Sequence, residues 1–449
     1  MRSQHDLTTG NIISGLWAFA VPLMLGNVLQ QLYNLADTWV VGKCIGNNAL
    51  AAVGASYTLM IFLTSVIIGL CLGSSAFIAM AYGKKNTEKI KNGIFLSFAF
   101  TALITVLLIV LFCAGLDTII KWLRVPQETV SDMRIYLFYV FMGFFATFIY
   151  NYISNLLRGL GNSVVPLFFL ALSVVLNIAL DILFVAGFQM GIAGAAQATV
   201  LAQHISGFGL LIYYWIKYPG LRLHKKDCVW NREDFMEILS LSGFTCLQQS
   251  VMNFGILMVQ GLVNSFGAVV MAAFAVAVKI DTIAYMPVQD FGNAFSVFVA
   301  QNFSAGKKDR IRAGMKSDGI SVAVFCAVIS TAVCVFAKTL MQIFVSGSDE
   351  VVRTGVQYLR IEGMFYIGIG ILFMLYGYYR AVSRPGVSVV LTVISLGTRV
   401  LLAYTLSAVS WIGVAGIWGS IPIGWFLADF AGILLLKRSR TLKKSQDTV

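Results

Sequence analysis

Asp37 and Asp181 lie inside strongly apolar stretches of the chain, and Asn177 stands one helical turn before Asp181. A charged side chain at bilayer depth costs roughly 2.5–3.5 kcal/mol even on lenient insertion scales, so each carboxylate is expected to face a polar cavity or a partner and to serve a function. Two carboxylates in one small, poorly hydrated site cannot both be comfortably ionised. An amide and a hydroxyl beside them, here Asn177 and Thr199, can hydrogen-bond whichever form is present. Such a set takes up a proton when open to an acidic side and releases it when open to the other. The same four groups could ligate sodium, because hard cations favour oxygen ligands. The plainer alternative is that each Asp caps a helix end or meets lipid headgroups.

Long apolar helices must position these residues. Apolar residues make up 58% of the 449 and charged ones only 12%, with a mean hydropathy of +0.83. No soluble globule has that balance. Continuous apolar runs of about 20 residues or more read as transmembrane helices, since barrel strands would alternate over about 10. Twelve spans are expected, near 12–41, 50–82, 93–115, 132–157, 163–186, 191–216, 236–264, 268–303, 313–344, 354–381, 386–408 and 413–436. Spans 1 and 5 run outward, and span 6 starts outside near 191. Asp37, Asn177, Asp181 and Thr199 therefore share one depth, in the outer half of the membrane. Asn177 and Asp181, at i and i+4, share one helix face. Pro22, inside span 1, removes a backbone hydrogen bond and favours a bend there, either inert or answering the charge on Asp37.

The formal net charge of +12 is topology, not a nucleic-acid surface. Most of the 32 basic residues, twenty-three of them, fall on the side of the two termini, in clusters such as Lys84–Lys85 and Lys307–Arg312. Seven, Arg124 among them, fall opposite, and Lys279 and Arg399 lie within spans. The positive-inside rule then places both termini in the cytoplasm of a plasma-membrane protein. The seven cysteines form no CxxC pair and read as packing residues. No cleavable signal peptide is evident, because the first apolar run is too long for one. There is no Walker A sequence for ATP, and Asp290-Phe-Gly292 reads as chance likeness to a kinase fragment.

The chain repeats itself at a spacing of about 222 residues. Gly83-Lys84-Lys85 matches Gly306-Lys307-Lys308, Arg158 matches Arg380, and Gly191-Ile-Ala-Gly194 matches Gly413-Val-Ala-Gly416. Three parts follow: an N-lobe over 1–217, a cytoplasmic linker over 218–234 and a C-lobe over 235–449. The fold class expected is an all-α membrane protein of twelve helices in two six-helix bundles. Since six is even, the bundles run in the same sense and are related by a pseudo-twofold axis along the membrane normal. That arrangement suits a secondary transporter with substrate between its halves. The repeat fails at the acidic set: Asn177 and Asp181 stand opposite Arg399 and Ala403, Thr199 opposite Ile421, and Asp37 roughly opposite Gln260. The C-lobe carries its own intramembrane charges, Lys279, Asp281, Glu362 and Arg399. Together with Gln30 and Asn34 they are candidates for a substrate cavity or a neutralising charge network. Aromatic and Met side chains lining such a cavity would suit amphipathic cations.

Over about 12–436 the chain resembles the multidrug and toxic compound extrusion (MATE) family. The resemblance is carried by Pro22, Gln30-Gln-Leu-Tyr-Asn-Leu-Ala-Asp37, Ala49-Leu-Ala-Ala-Val-Gly54, Leu157-Arg-Gly-Leu-Gly161, Asn177-Ile-Ala-Leu-Asp181, Gly191-Ile-Ala-Gly-Ala-Ala196, Lys279-Ile-Asp281 and Val299-Ala-Gln-Asn302. Within the family it looks like the DinF branch. The resemblance implies cation antiport, with proton coupling through Asp37, Asn177, Asp181 and Thr199 and with Pro22 at the bend of span 1. The NorM branch carries a carboxylate in span 7, where this chain has Gln248 and Gln249, so that route is not expected. The expected function is export of amphipathic, cationic small molecules by a monomeric, lipid-embedded chain. It is no enzyme, has no cofactor beyond a proton or sodium, and binds no nucleic acid. The alternatives are a sodium-coupled exporter of the same family and a flippase for lipid-linked precursors. The flippase predicts a strongly cationic central cavity, whereas the basic residues here concentrate in loops. An intramembrane aspartyl protease would need Tyr-Asp and Gly-x-Gly-Asp pairs that Asp37 and Asp181 lack.

Overall fold

The computed structural model describes residues 6–122, 127–345 and 347–446. Arg2 and Arg124, counted in the topology above, and both ends of the expected lobes lie outside the described residues. The helices are α1 (Ile12–Cys44), α2 (Asn47–Gly83), α3 (Thr87–Ala114), α4 (Leu116–Trp122), α5 (Gln127–Gly159), α6 (Val164–Asp181) and α7 (Gly191–Lys217). They continue with α8 (Arg232–Ser265), α9 (Ala268–Ser304), α10 (Lys308–Phe344), α11 (Asp349–Gly363), α12 (Tyr366–Ala381), α13 (Pro385–Ser407) and α14 (Val414–Gln446). Among the described residues there is no strand. Among the described residues eleven helices are long and apolar enough to cross a membrane, and twelve spans result if α11 and α12, bent by 51° at their junction, count as one.

Local chemistry sets the helix ends. Asn86 accepts a hydrogen bond from the Lys89 amide at 2.9 Å to cap α3, and Ser348 accepts from the Val351 amide to cap α11, each satisfying a donor left free in the first turn. Gly191 and Gly413, which open the repeated Gly-x-Ala-Gly motifs, both have positive φ, 61° and 52°. That conformation carries a penalty for residues with a Cβ and none for glycine, which explains why this position recurs. Three prolines, Pro22, Pro287 and Pro422, sit inside α1, α9 and α14 without ending them. α1 runs unbroken through Pro22, and a sharp bend of 51° falls between Gly363 and Tyr366.

The chain divides into two compact units. Unit 1 is built on Trp17–Cys246, and unit 2 on Thr8–Leu16 together with Leu247–Val449. This division differs from the linker over 218–234 because it passes through α1 and α8 themselves. In unit 1, α5 packs against α2 and α7, and α6 against α7; in unit 2, α9 packs against α10, α11 and α12, and α13 against α14. Glycines bring backbones close where side chains would keep them apart, a recurrent device of membrane helices. A Cβ on Gly73 would lie 2.3 Å from Ser242 Cα, and one on Gly377 would lie 2.3 Å from the Gly292 carbonyl oxygen. Gly292, part of the kinase-like fragment, thus has a packing role. The linker is strapped to the start of α3: Lys91 pairs with Asp227 at 3.4 Å, Asn92 donates to the Val229 carbonyl at 2.6 Å, and Lys89 pairs with Asp234 at 3.0 Å. The His224 backbone amide, followed by Lys91, holds the Asp227 carboxyl below its ordinary range.

Candidate functional site

Unit 1 brings the four residues from spans 1, 5 and 6 together. Thr199 on α7 is the hub. Its Oγ1 accepts from the Tyr33 hydroxyl of α1 at 3.2 Å and from Asn177 Nδ2 of α6 at 3.4 Å. Asp37 lies one turn beyond Tyr33 on α1, and Asp181 one turn beyond Asn177 on α6. Asp37 is 7% exposed, Thr199 6%, and Asn177 and Asp181 0%. Asp37 and Asp181 are within electrostatic reach of one another, and both act on Tyr33 and on Tyr136 of α5. The helix carrying Asp181 does not simply end there. It passes into a π-helical turn over Ile182–Gly187, a distortion frequent at functional sites.

The oxygen atoms of this cluster are conspicuously unsatisfied. Asp37 Oδ1, Asn177 Oδ1 and both Asp181 carboxylate oxygens are buried with no hydrogen-bond partner. Buried polar atoms are normally paired, and an exception calls for a missing group that pairs them. Two carboxylates, an amide carbonyl and a hydroxyl, with no basic side chain among the described residues acting on either acid, fit a proton or a small hard cation. Among the described residues no set of three or more His, Cys, Asp or Glu side chains is arranged for a metal ion, so a sodium here would lean on Asn177 and Thr199 as well.

Unit 2 separates the remaining candidates. Asp281 on α9, Glu362 in the last turn of α11 and Arg399 on α13 line one cavity of about 80 Å³, with Tyr358, Tyr285 and Trp425 also in its wall. Asp281 is 4% and Glu362 1% exposed. Lys279 does not join them. Two positions apart on a helix are about 200° apart around it, so burial of Asp281 turns Lys279 outward, where it is exposed. Gln30 and Asn34 are half-buried on α1 and neither lines that cavity.

Sequence reasoning passed over Tyr33 and Tyr136, and two signals could have found them. Tyr33 stands at i−4 to Asp37, and Tyr136 is matched in the repeat by Tyr358, which lines the cavity of unit 2. It also passed over Asp318 and Asp429, buried in α10 and α14 with all four carboxylate oxygens unpartnered.

Comparison with known proteins agrees with this organisation. The family profile described as MatE matches residues 22–183 and again 244–405, the second match following the first at the spacing of the internal repeat. The chain is 32% identical to the probable multidrug resistance protein YpnP of Bacillus subtilis, over 97% of each chain. It is 26% identical to the probable multidrug resistance protein NorM of Thermotoga maritima, covering 89% of this chain and 86% of that one. Its fold matches a crystal structure of MATE in the bent conformation with a TM-score of 0.92 at 21% identity, over 99% of both chains. The chain belongs to the MatE family, the multidrug and toxic compound extrusion transporters.

Proposed function

We propose that the chain is a plasma-membrane multidrug exporter that drives efflux of amphipathic, cationic small molecules by proton antiport through Asp37, Asn177, Asp181 and Thr199. As a MatE member it is a membrane transporter; the relatives' names supply multidrug export. The observation that carries the coupling reading is the convergence of buried, unpartnered oxygens from α1 and α6 around Thr199 of α7. A proton satisfies one carboxylate and relieves its repulsion with the other. Its uptake and release can therefore bias two states of the transporter, as linkage requires of any ligand that prefers one state. Each charge crossing contributes about 2.3 kcal/mol per 100 mV and each pH unit about 1.4 kcal/mol. Exchange of one proton for a monovalent cation moves no net charge, so one pH unit sustains a gradient of about tenfold, and a second proton at about 100 mV raises that to a few thousandfold. Both termini are cytoplasmic in this reading, following the basic loops.

Sodium is the second reading, favoured by the same oxygens, which offer ligands to a hard cation as well as a seat for a proton. Reconstituted protein with pH and sodium gradients imposed separately decides between them. Ethidium movement is expected to follow the pH gradient and to fall to background in Asp37→Asn and Asp181→Asn. Full pH-driven export by both variants would remove the coupling role from unit 1, and export driven by sodium alone would reassign the ion.

A further inference from the structure

The cavity of unit 2 is the repeat's counterpart of the acidic site in unit 1. Tyr358, Arg399 and Ile421, all in its wall, stand where unit 1 has Tyr136, Asn177 and Thr199. Both places therefore hold two buried acids beside a tyrosine, yet they differ in the charge that faces those acids. Among the described residues no basic side chain acts on Asp37 or Asp181, whereas Arg399 acts on both Asp281 and Glu362, which also lie close enough to interact with each other. Asp281 Oδ1, Glu362 Oε1 and Arg399 Nε are each buried without a partner. Among the described residues no ion pair joins Arg399 to either acid, although all three side chains line the same cavity.

We propose that Arg399 is the tethered cation of unit 2: its guanidinium supplies to Asp281 and Glu362 the positive charge that a bound coupling ion supplies to Asp37 and Asp181, and so excludes a second coupling ion from unit 2. The inference rests on reading unit 1 as the coupling site. Being part of the chain, the Arg399 guanidinium cannot leave the site as a bound ion can. The positive charge in unit 2 is therefore permanent, while that in unit 1 comes and goes. A mobile cation entering the cavity meets a positive charge already in place, in surroundings where Coulomb forces are weakly screened. Asparagine, which the repeat places at position 177, carries no such charge. The residue at position 399 thus decides which half of a duplicated transporter responds to the ion.

The test uses the full chain with unit 1 disabled by Asp37→Asn and Asp181→Asn, and measures binding of radiolabelled sodium at alkaline pH by equilibrium dialysis. That background alone is expected to show no saturable sodium. Adding Arg399→Asn is expected to raise sodium affinity by about tenfold or more, giving one saturable site that Glu362→Gln abolishes. Arg399→Lys, which keeps the charge, is expected to bind none. A folded Arg399→Asn protein without the site overturns the proposal. Saturable sodium with Arg399 in place, lost on Asp281→Asn with Glu362→Gln, overturns it too, and needs no Arg399 variant to fold. Because unit 1 is silent in this assay, failure of its coupling role appears only in the ethidium experiment.

Discussion

At the scale of single residues, Thr199 is the point where α1, α6 and α7 exchange polar contacts. Its hydroxyl accepts from Tyr33 and from Asn177. A neutral hydrogen bond of this kind contributes about 0.5–1.5 kcal/mol net, whereas losing a carboxylate would remove a seat of the proposed coupling ion. Tyr33→Phe is therefore expected to slow ethidium efflux by roughly threefold to tenfold, and Asp37→Asn to abolish it. Equal losses in the two variants would mean that Tyr33 binds the ion directly. A different balance governs Asp318, 0% exposed with both oxygens unpartnered. Removing an unsatisfied buried polar group relieves about 1–3 kcal/mol, and the void left by so few atoms costs about 0.5 kcal/mol. The first effect wins, so Asp318→Ala is expected to raise the thermal midpoint of the detergent-solubilised protein by a few degrees. A lower midpoint would reveal a partner for that carboxyl.

At the scale of elements, the sharpest sequence constraint is the approach of α2 to α8. A Cβ on Gly73 would lie 2.3 Å from Ser242 Cα and 2.5 Å from the Leu241 backbone, and Ser74 and Ser242 join their hydroxyls at 3.1 Å beside it. Backbone cannot yield as a side-chain tip can. Gly73→Ala is thus expected to cost several kcal/mol, the range reserved for overpacked or strained sites, and to cut the monodisperse yield in size-exclusion chromatography. Gly54→Ala, with open space at its Cβ, serves as the tolerated control. These contacts also mark how far the sequence could be read. The long apolar runs made the spans legible, and the repeat announced itself through Gly191 and Gly413, whose positive φ admits few substitutes. Asp37, Asn177, Asp181 and Thr199 were legible as a set because helix rise fixes depth along a span. Lys279 faces away from Asp281 on α9, as a spacing of two residues on a helix dictates. The break between α11 and α12 left no proline to announce it, while α1, α9 and α14 continue through Pro22, Pro287 and Pro422. Which tyrosine meets which acid depends on tertiary packing, and no local pattern encodes that.

At the scale of the whole molecule, α1 and α8 each begin in one unit and finish in the other. Their first turns are anchored in matching fashion. Arg310 of α10 donates to the Thr9 carbonyl and, at 2.8 Å, to the Gly10 carbonyl just before α1, and its guanidinium stands 5.8 Å from the centre of the Phe298 ring. Lys89 of α3 holds Asp234 and Glu237 at the start of α8, and its ammonium stands 5.0 Å from the centre of the Phe77 ring. Alternating access displaces one half of a transporter against the other. Helix hydrogen bonds within lipid cannot be broken cheaply, so in the proposed exporter such a displacement would be absorbed by bending α1 and α8 or by loosening these partly exposed anchors. Pairs of that kind contribute at most about 1 kcal/mol each, which makes the anchors the softer element. Lys89→Ala is expected to leave folding intact and raise amide hydrogen exchange over the first turns of α8. Arg310→Ala is expected to do the same over Thr8–Leu16, and neither variant to alter the other's segment. Exchange rising in both segments with either variant would show that the two ends yield together, as one gate would, and that the anchors do not act independently.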